Sequence, residues 1–478
     1  MNIYIPIEIK VRELEGRLLL ALAAAERGHS VIVGEKKDTI GLANKGLLPP
    51  GLIHLKSITP HESMKKMLAR LKKNGHAVTV QDEESGLLDE TYDTFARLRF
   101  SEETIKSVDK VLAWGEYDSR SLKQYYSSQS DKIVVTGSPR VDFWREDFSE
   151  YYSDHKECKN IDGKPYFMVV SNFSGPLNMN RFWNIMARLG EAGYFAREEG
   201  REEWEYMNNA YQTQLIGKFV FLIRGLKKRF PDHNILVRPH PVESIEGWKK
   251  LIGDVPGVVI QRDGTISPWI RHAKAIIHNG CTSAMEAAIS GQNRIAYRPI
   301  PHEVEREIPN KVSLNAYSTE ELYQFVEGMI DGKDLHKEDE RYAEIQEIIH
   351  DRFAATEGKL ATDHIVDAWD KIAEQRGLVN TSHKELSGIK KQKNISLEQK
   401  IKKALVSVRN SLLGKSGSGQ NNKRLLDTSF KFPEFTDDEF ETILANLKKN
   451  LGRFQDISSQ RFGKKSFLLH NKKEKSEN

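Results

Sequence analysis

Apolar residues along this chain fall into two alternating periods. Asn2–Ile9 is apolar and β-branched, and Glu13–Gly28 carries the helical period and stops on a glycine. His29–Gly34 is the next apolar run. Strand, helix, strand in this order predicts a parallel pair. The pattern repeats through strands at Gly51–Ser57 and His76–Gln81 with a helix at Glu62–Lys73 between them, then strands at Lys110–Gly115 and Lys132–Gly137. One doubly wound domain is therefore expected over residues 1–150.

A polar stretch, Asp154–Lys164, reads as a linker, after which the pattern restarts. Tyr166–Phe173, His233–His240, Gly257–Gln261, Ala273–Asn279 and Asn293–Pro299 read as strands, with a long helix at Arg201–Arg229. A second αβ domain is expected over 151–378, and two such domains on a short linker would face each other across a cleft. The remaining 379–478 reads as a basic linker and helical tail. Leu413–Lys423 has a flexible linker's composition, and Thr436 is a natural N-cap for a following helix. In Ser396–Gly414, Ile401, Leu405, Val408 and Leu412 form an apolar stripe among Lys400, Lys403 and Arg409. That pattern suits a helix lying on an anionic membrane, or one packing on the protein itself.

Composition narrows the class. Lys+Arg number 72 against 68 Asp+Glu in 478 residues, a balance that argues against a nucleic-acid partner. Two cysteines give no disulfide framework, the start shows no signal peptide, and no run approaches the ~18 apolar residues of a membrane span. A cytoplasmic protein is expected.

Candidate chemistry gathers where strands end. In Arg238-Pro-His240-Pro241, prolines restrict a loop that presents an imidazole and a guanidinium, suited to a phosphate, although an incidental surface histidine would look the same. In Ile276–Gly291, His278, Asn279, Gly280, Thr282, Ser283 and Glu286 crowd one strand–helix junction. Hydroxyls and free backbone N–H groups there suit an anion, and Glu286 suits a ribose; an ordinary cap explains only part of the set. Asp82, Glu83 and Glu84 end another strand, where mutual repulsion can raise one proton affinity to that of a general base; a solvated acidic loop is the plain alternative. Glu13 and Glu15 in the first strand–helix junction are reserve acids, and Ser171 and Asn172 open the second domain in a turn that can cradle a phosphate. Gly414-Lys-Ser416 is not a phosphate loop, because Arg409 stands where its first glycine is needed. No HExxH or Asp-x-Asp strand end suggests a metal, and no cofactor is expected.

Taken together, the segments Ile5–Gly34, Asp82–Gly86, Thr136–Asp142, Val170–Phe173 and His278–Gly291 resemble, in order, the bacterial surface carbohydrate biosynthesis protein family, over most of 1–378 and more weakly in the tail. The resemblance implies a GT-B fold: two Rossmann-like doubly wound domains facing a cleft, here with a C-terminal helical extension. A looser resemblance joins the acids before Gly86, His240–Pro241 and Thr282–Ser283 to bacterial GT-B sialyltransferases, polysialyltransferases and Kdo transferases. It implies a metal-independent glycosyltransferase with an acid as base, and with the histidine and hydroxyls on the phosphate of a CMP-linked donor sugar. The acceptor would be a glycan or lipid-linked glycan at the inner face of the cytoplasmic membrane. Ser85 interrupts the acid–glycine motif, which leaves the base open between the acids. CDP-glycerol phosphotransferases share the histidine and hydroxyl pattern, and Thr136–Asp142 is similar to a segment of UDP-sugar 2-epimerases. A polyol phosphotransferase, an epimerase and a non-catalytic scaffold are the alternatives.

Overall fold

The computed structural model describes residues 1–87, 92–153, 155–191, 193–197, 199–381, 383–389 and 432–472. The amphipathic segment Ser396–Gly414 and the linker Leu413–Lys423 lie outside them. Two compact units form: Met1–Val80 with Glu103–Val111 and Thr362–Asn478, and Gln81–Glu102 with Leu112–Ala361.

Two sheets run through the chain. The first contains β1 (Asn2–Ile7), β2 (Ser30–Glu35), β3 (Leu52–Leu55), β4 (Ala77–Val80), β5 (Lys110–Ala113) and β6 (Ile133–Val135), with β13 (Ile457–Gly463) and β14 (Ser466–Asn471) from the tail. Its order is β13-β14-β2-β1-β3-β4-β5-β6. The β2-β1-β3-β4-β5 ladder is parallel. All six residues of β1 are buried, as expected of a parallel strand covered on both faces.

The second sheet contains β7 (Tyr166–Val170), β8 (Asn234–Arg238), β9 (Val258–Ile260), β10 (Ile276–His278), β11 (Arg294–Tyr297) and β12 (Leu314–Ala316), ordered β12-β11-β10-β7-β8-β9 and parallel throughout. Strand period 2 divides its side chains between two cores. Phe167, Val169, Ile235, Val237 and Ile277 enter one, with Leu215, Phe219 and Leu222 of the helix Arg201–Arg229. Tyr166, Met168, Val170, Leu236 and Ile276 enter the other, against Trp269 and Ala287. The chain thus contains the two Rossmann-like sheets expected of it.

The tail is more than the helical extension the sequence suggests. Thr436 does cap the helix Asp437–Leu451, its hydroxyl accepting from Glu439 N–H at 3.2 Å. Beyond it, β13 and β14 form a hairpin, and β14 pairs antiparallel with β2. An uncovered β2 edge would leave a row of unpaired backbone groups. Close approach at this edge depends on Gly34, whose φ is +149°. A Cβ there would lie 2.3 Å from the Lys465 carbonyl oxygen. Gly34→Ala is expected to lower unfolding free energy by about 1–3 kcal/mol in urea titration. Wild-type stability in this variant would show that the hairpin does not press on β2.

Candidate functional site

Read in chain order, the second sheet runs 3-2-1-4-5-6 (β9-β8-β7-β10-β11-β12), so its direction of winding reverses between β7 and β10. Doubly wound folds bind ligands at the strands' carboxyl ends beside such a reversal. Asn172 follows β7 and Asn279 follows β10. Asn172 N–H donates to the Asn279 side-chain oxygen at 2.8 Å, and the Asn279 amide returns a bond to the Asn172 carbonyl at 3.2 Å. These asparagines therefore fix the two sides of the switch point to each other.

Glu243 fixes the third loop. Its fully buried carboxylate accepts from Ser171 Oγ at 2.6 Å, Phe173 N–H at 2.6 Å and Trp248 Nε1 at 2.8 Å. Burial raises its pKa, and these donors oppose the rise. Arg262 closes the loop from the other side, donating to the carbonyls of His240, Pro241 and Glu243 at 3.2, 2.8 and 3.0 Å. His240 is thereby held in place. Its Nδ1 accepts from Val242 N–H at 3.4 Å, which makes Nε2 the protonated nitrogen. Burial, with Arg306 and Arg262 nearby, lowers its pKa to about 4, while Glu84 opposes that shift. His240 is a neutral donor, and Glu84 lies within its electrostatic reach.

The junction after β10 is more self-contained than its crowding suggests. His278 is buried; it donates through Nε2 to Ser313 Oγ at 2.9 Å and accepts Gly280 N–H on Nδ1 at 3.1 Å. Ser313 donates onward to the Pro309 carbonyl, which fixes that direction. Burial pushes the His278 pKa down to about 3. Ser283 turns its hydroxyl to the Cys281 sulfur at 2.9 Å. Arg238 donates to the carbonyls of Asp263 and Gly264 at 2.8 and 3.1 Å. His278, Ser283, Arg238, Ser171 and the asparagine pair thus all bond within the protein itself. Thr282 is half-buried, and its hydroxyl bonds to no described residue. Glu286 is buried in the helix Ser283–Ile289, within electrostatic reach of Arg271.

Asp82, Glu83 and Glu84 take three different environments. Asp82 is buried, and its Oδ1 accepts Glu84 N–H at 3.0 Å, an Asx turn that sets the direction of the loop. Burial raises its pKa to about 6, against the opposing charge of Arg99 at 3.4 Å. Glu84 is more exposed and accepts from Arg99 Nη2 at 3.0 Å. The Glu83 carbonyl accepts from Arg140 at 3.4 Å. Beneath the loop, Gly86 leaves no room for a Cβ, which would lie 2.9 Å from the Trp114 ring. Asp118 is fully buried there, accepting Trp114 N–H at 3.2 Å and a bond from Ser85. Burial raises Asp118 to about 7, and the Asp82 charge adds to the rise.

Three residues of this arrangement escape sequence reading: Glu243, Asp118 and Arg306. Glu243 stands two places after Pro241, a weak signal, and Asp118 resembles any acid in a first helical turn. Arg306 sits in a charge run, Glu303–Glu307, that marks nothing by itself. The reserve acids belong to the other unit. Glu13 accepts from Glu8 N–H at 2.9 Å and Ile9 N–H at 3.1 Å and pairs with Lys56, so it stabilises the start of the helix Lys10–Glu26; Glu15 is half-buried in that helix. Among the described residues one trio could gather around a metal, His155, Glu157 and Cys158; burial holds that thiol protonated, with a pKa pushed up to about 12. No described helix is long and apolar enough to cross a membrane.

No family model and no curated protein matches this chain. Solved structures of similar shape include the S. aureus MnaA–UDP co-structure, 14% identical, covering 80% of this chain and 99% of that one at TM-score 0.44. UDP-GlcNAc 2-epimerase of Neisseria meningitidis bound to UDP-GlcNAc is 13% identical, covering 78% and 100% at TM-score 0.42. The wall teichoic acid polymerase TagF, soaked with CDPG, is 10% identical, covering 79% and 90% at TM-score 0.49. Likenesses at this level assign neither activity nor substrate.

The buried acids predict a pH effect of definite sign. Between about pH 4 and 7 the unfolded chain releases the Asp118 proton and the folded chain keeps it, so this group's contribution to stability falls as pH rises. Asp118→Asn keeps an acceptor for Trp114 N–H and removes the titration. Its unfolding free energy relative to wild type should rise by up to about 1.4 kcal/mol per pH unit across that window. A pH-independent difference between the two proteins would show that Asp118 ionises normally.

Proposed function

We propose that this chain is a glycosyltransferase of surface polysaccharide synthesis, moving a sugar from a nucleotide-activated donor to a glycan or lipid-linked acceptor. The observation that carries the reading is an electrostatic influence between two loops far apart in sequence. Glu84 comes within electrostatic reach of His240, in the loop that follows β8. One side of such a site supplies a carboxylate, the other a neutral N–H donor and a hydroxyl. Glu84 removes the proton of the acceptor hydroxyl as its oxygen bonds to the anomeric carbon. The bond from that carbon to the donor phosphate breaks, and the phosphate leaves with the electron pair, stabilised by His240 Nε2–H and the Thr282 hydroxyl. Asp82 positions Glu84 through the turn, and Glu286 is assigned to the ribose. The family resemblance favours a CMP-linked 2-keto sugar acid as donor.

His240→Ala should weaken nucleotide binding by about 1–3 kcal/mol, the worth of a hydrogen bond to a charged group, and leave the melting temperature of the free protein nearly unchanged. Glu84→Gln should lower turnover roughly 100-fold or more with nucleotide binding intact. Calorimetric titration with CMP and UDP, followed by a nucleotide-release assay with and without acceptor, checks both. A response to UDP alone would replace the donor, and release without any acceptor would point to an epimerase or hydrolase. Normal binding by His240→Ala would move the phosphate elsewhere.

A further inference from the structure

The second unit is rich in arginines near its candidate site, and nearly all are committed. Arg238 is spent on the carbonyls after β9, Arg262 on the His240 loop, and Arg271 on the carbonyls of Phe143, Trp144 and Arg145. Arg298 donates to Glu305 through Nε at 2.8 Å. Arg306 differs: it is exposed, and it makes no hydrogen bond or ion pair to any described residue.

Its place is nevertheless fixed. Gly280, at φ +79°, leaves no free space on its Cβ side: a Cβ there would lie 3.1 Å from Arg306 Cβ. The backbone carrying Arg306 therefore lies against the turn between β10 and Thr282. Its charge reaches both His240 and Cys281. The neighbouring acids do not neutralise it. Glu305 is occupied by Arg298 and by the Tyr211 hydroxyl at 2.9 Å, and Glu307 pairs with Lys311 at 3.3 Å. Arg306 is thus a cation anchored at its base, with Glu305 and Glu307 engaged elsewhere and its charge reaching a neutral histidine, an arrangement suited to an anion.

We infer that Arg306 is the residue that recognises the donor's phosphate charge, with His240 Nε2–H and the Thr282 hydroxyl completing the contact, and that it takes the part the sequence suggests for Arg238. The inference rests on the nucleotide reading above and sharpens it. Ligands carrying a 5′-phosphate are selected over their nucleosides, and Arg306 supplies most of that selection. The guanidinium fork gives two parallel donors to two phosphate oxygens, so lysine keeps the charge and loses geometry.

The test is calorimetric titration of the full chain with CMP and cytidine, and with UMP and uridine in parallel. Wild type, Arg306→Gln, Arg306→Lys and a control, Arg229→Gln, are compared. Arg229 is an exposed arginine paired with Glu327 at 2.6 Å. Wild type and Arg229→Gln should prefer the nucleotide over the nucleoside by roughly tenfold or more, the scale of one charge-assisted contact. Arg306→Gln should bind the nucleoside unchanged and lose most of the preference, with Arg306→Lys between. Because Arg306 supports no other described side chain, the melting temperature should hold. A wild-type ratio in Arg306→Gln overturns the assignment of Arg306 alone. No preference in wild type itself removes the nucleotide reading and this inference together.

Discussion

The candidate site depends on one buried carboxylate. Glu243 has no solvent, so its charge is tolerable only while Ser171, Phe173 and Trp248 donate to it. Those donors belong to the end of β7 and to the helix Ile245–Ile252, and the acceptor stands at the end of the His240 loop. Satisfying one side chain therefore fixes three segments. Backbone bonds reinforce the arrangement: Met179 N–H donates to Val242, Ser244 N–H to Leu177, and Asn178 bridges Glu243. The imidazole of His240 is rigid because the residue three places beyond it cannot move without stranding a charge.

Packing does for the acid loop what Glu243 does for the histidine loop. Leu87 and Trp114 share a buried cluster with Ala284 and Met285 of the helix Ser283–Ile289 and with Phe353. Side chains just behind Asp82–Gly86 thus pack into the same core as the helix that follows Thr282. A dry cluster of aromatic and branched side chains resists relative movement of its walls. The loops that carry Glu84 and Thr282 are thereby held in register although about 200 residues separate them in sequence. Trp114 also donates its indole N–H to the Asp82 carbonyl at 2.8 Å, joining the cluster to the acid turn.

Sequence periodicity carried most of the second sheet. The helices Glu62–Lys73 and Arg201–Arg229 begin and end where the sequence reading places them; the first keeps its apolar positions on one face, and the second is a long uninterrupted run between Gly200 and Pro231. Strand β12 is only three residues long and has too little alternation to stand out. In the hairpin, β13 reads Ile-Ser-Ser-Gln-Arg-Phe-Gly, a polar sequence whose pairing is dictated by the β2 edge far away. The candidate residues do stand at strand ends, but residue type alone did not foretell which bonds they make within the protein. His278 and Ser283 bond to Ser313 and Cys281, because a buried polar group must find a partner within the protein. Glu243 and Ser171 lie 72 residues apart, and no local pattern announces such a bond.

Electrostatics then separates the two sides of the site. Within one crevice, an unshielded Glu84 and Arg306 would attract each other and cancel. Arg99 instead holds Glu84 at 3.0 Å, and committed acids flank Arg306 without binding it. His240 stands between them electrostatically, pushed toward neutrality by both nearby arginines and by burial, and pulled back only by Glu84. A protonated imidazole there would add a second positive charge and pair with the carboxylate. The neutral ring can donate to an anion without adding a second positive charge. In the reaction proposed above, the negative side accepts a proton and the positive side receives a departing phosphate. Transfer between an acceptor hydroxyl and an activated donor requires that division of charge.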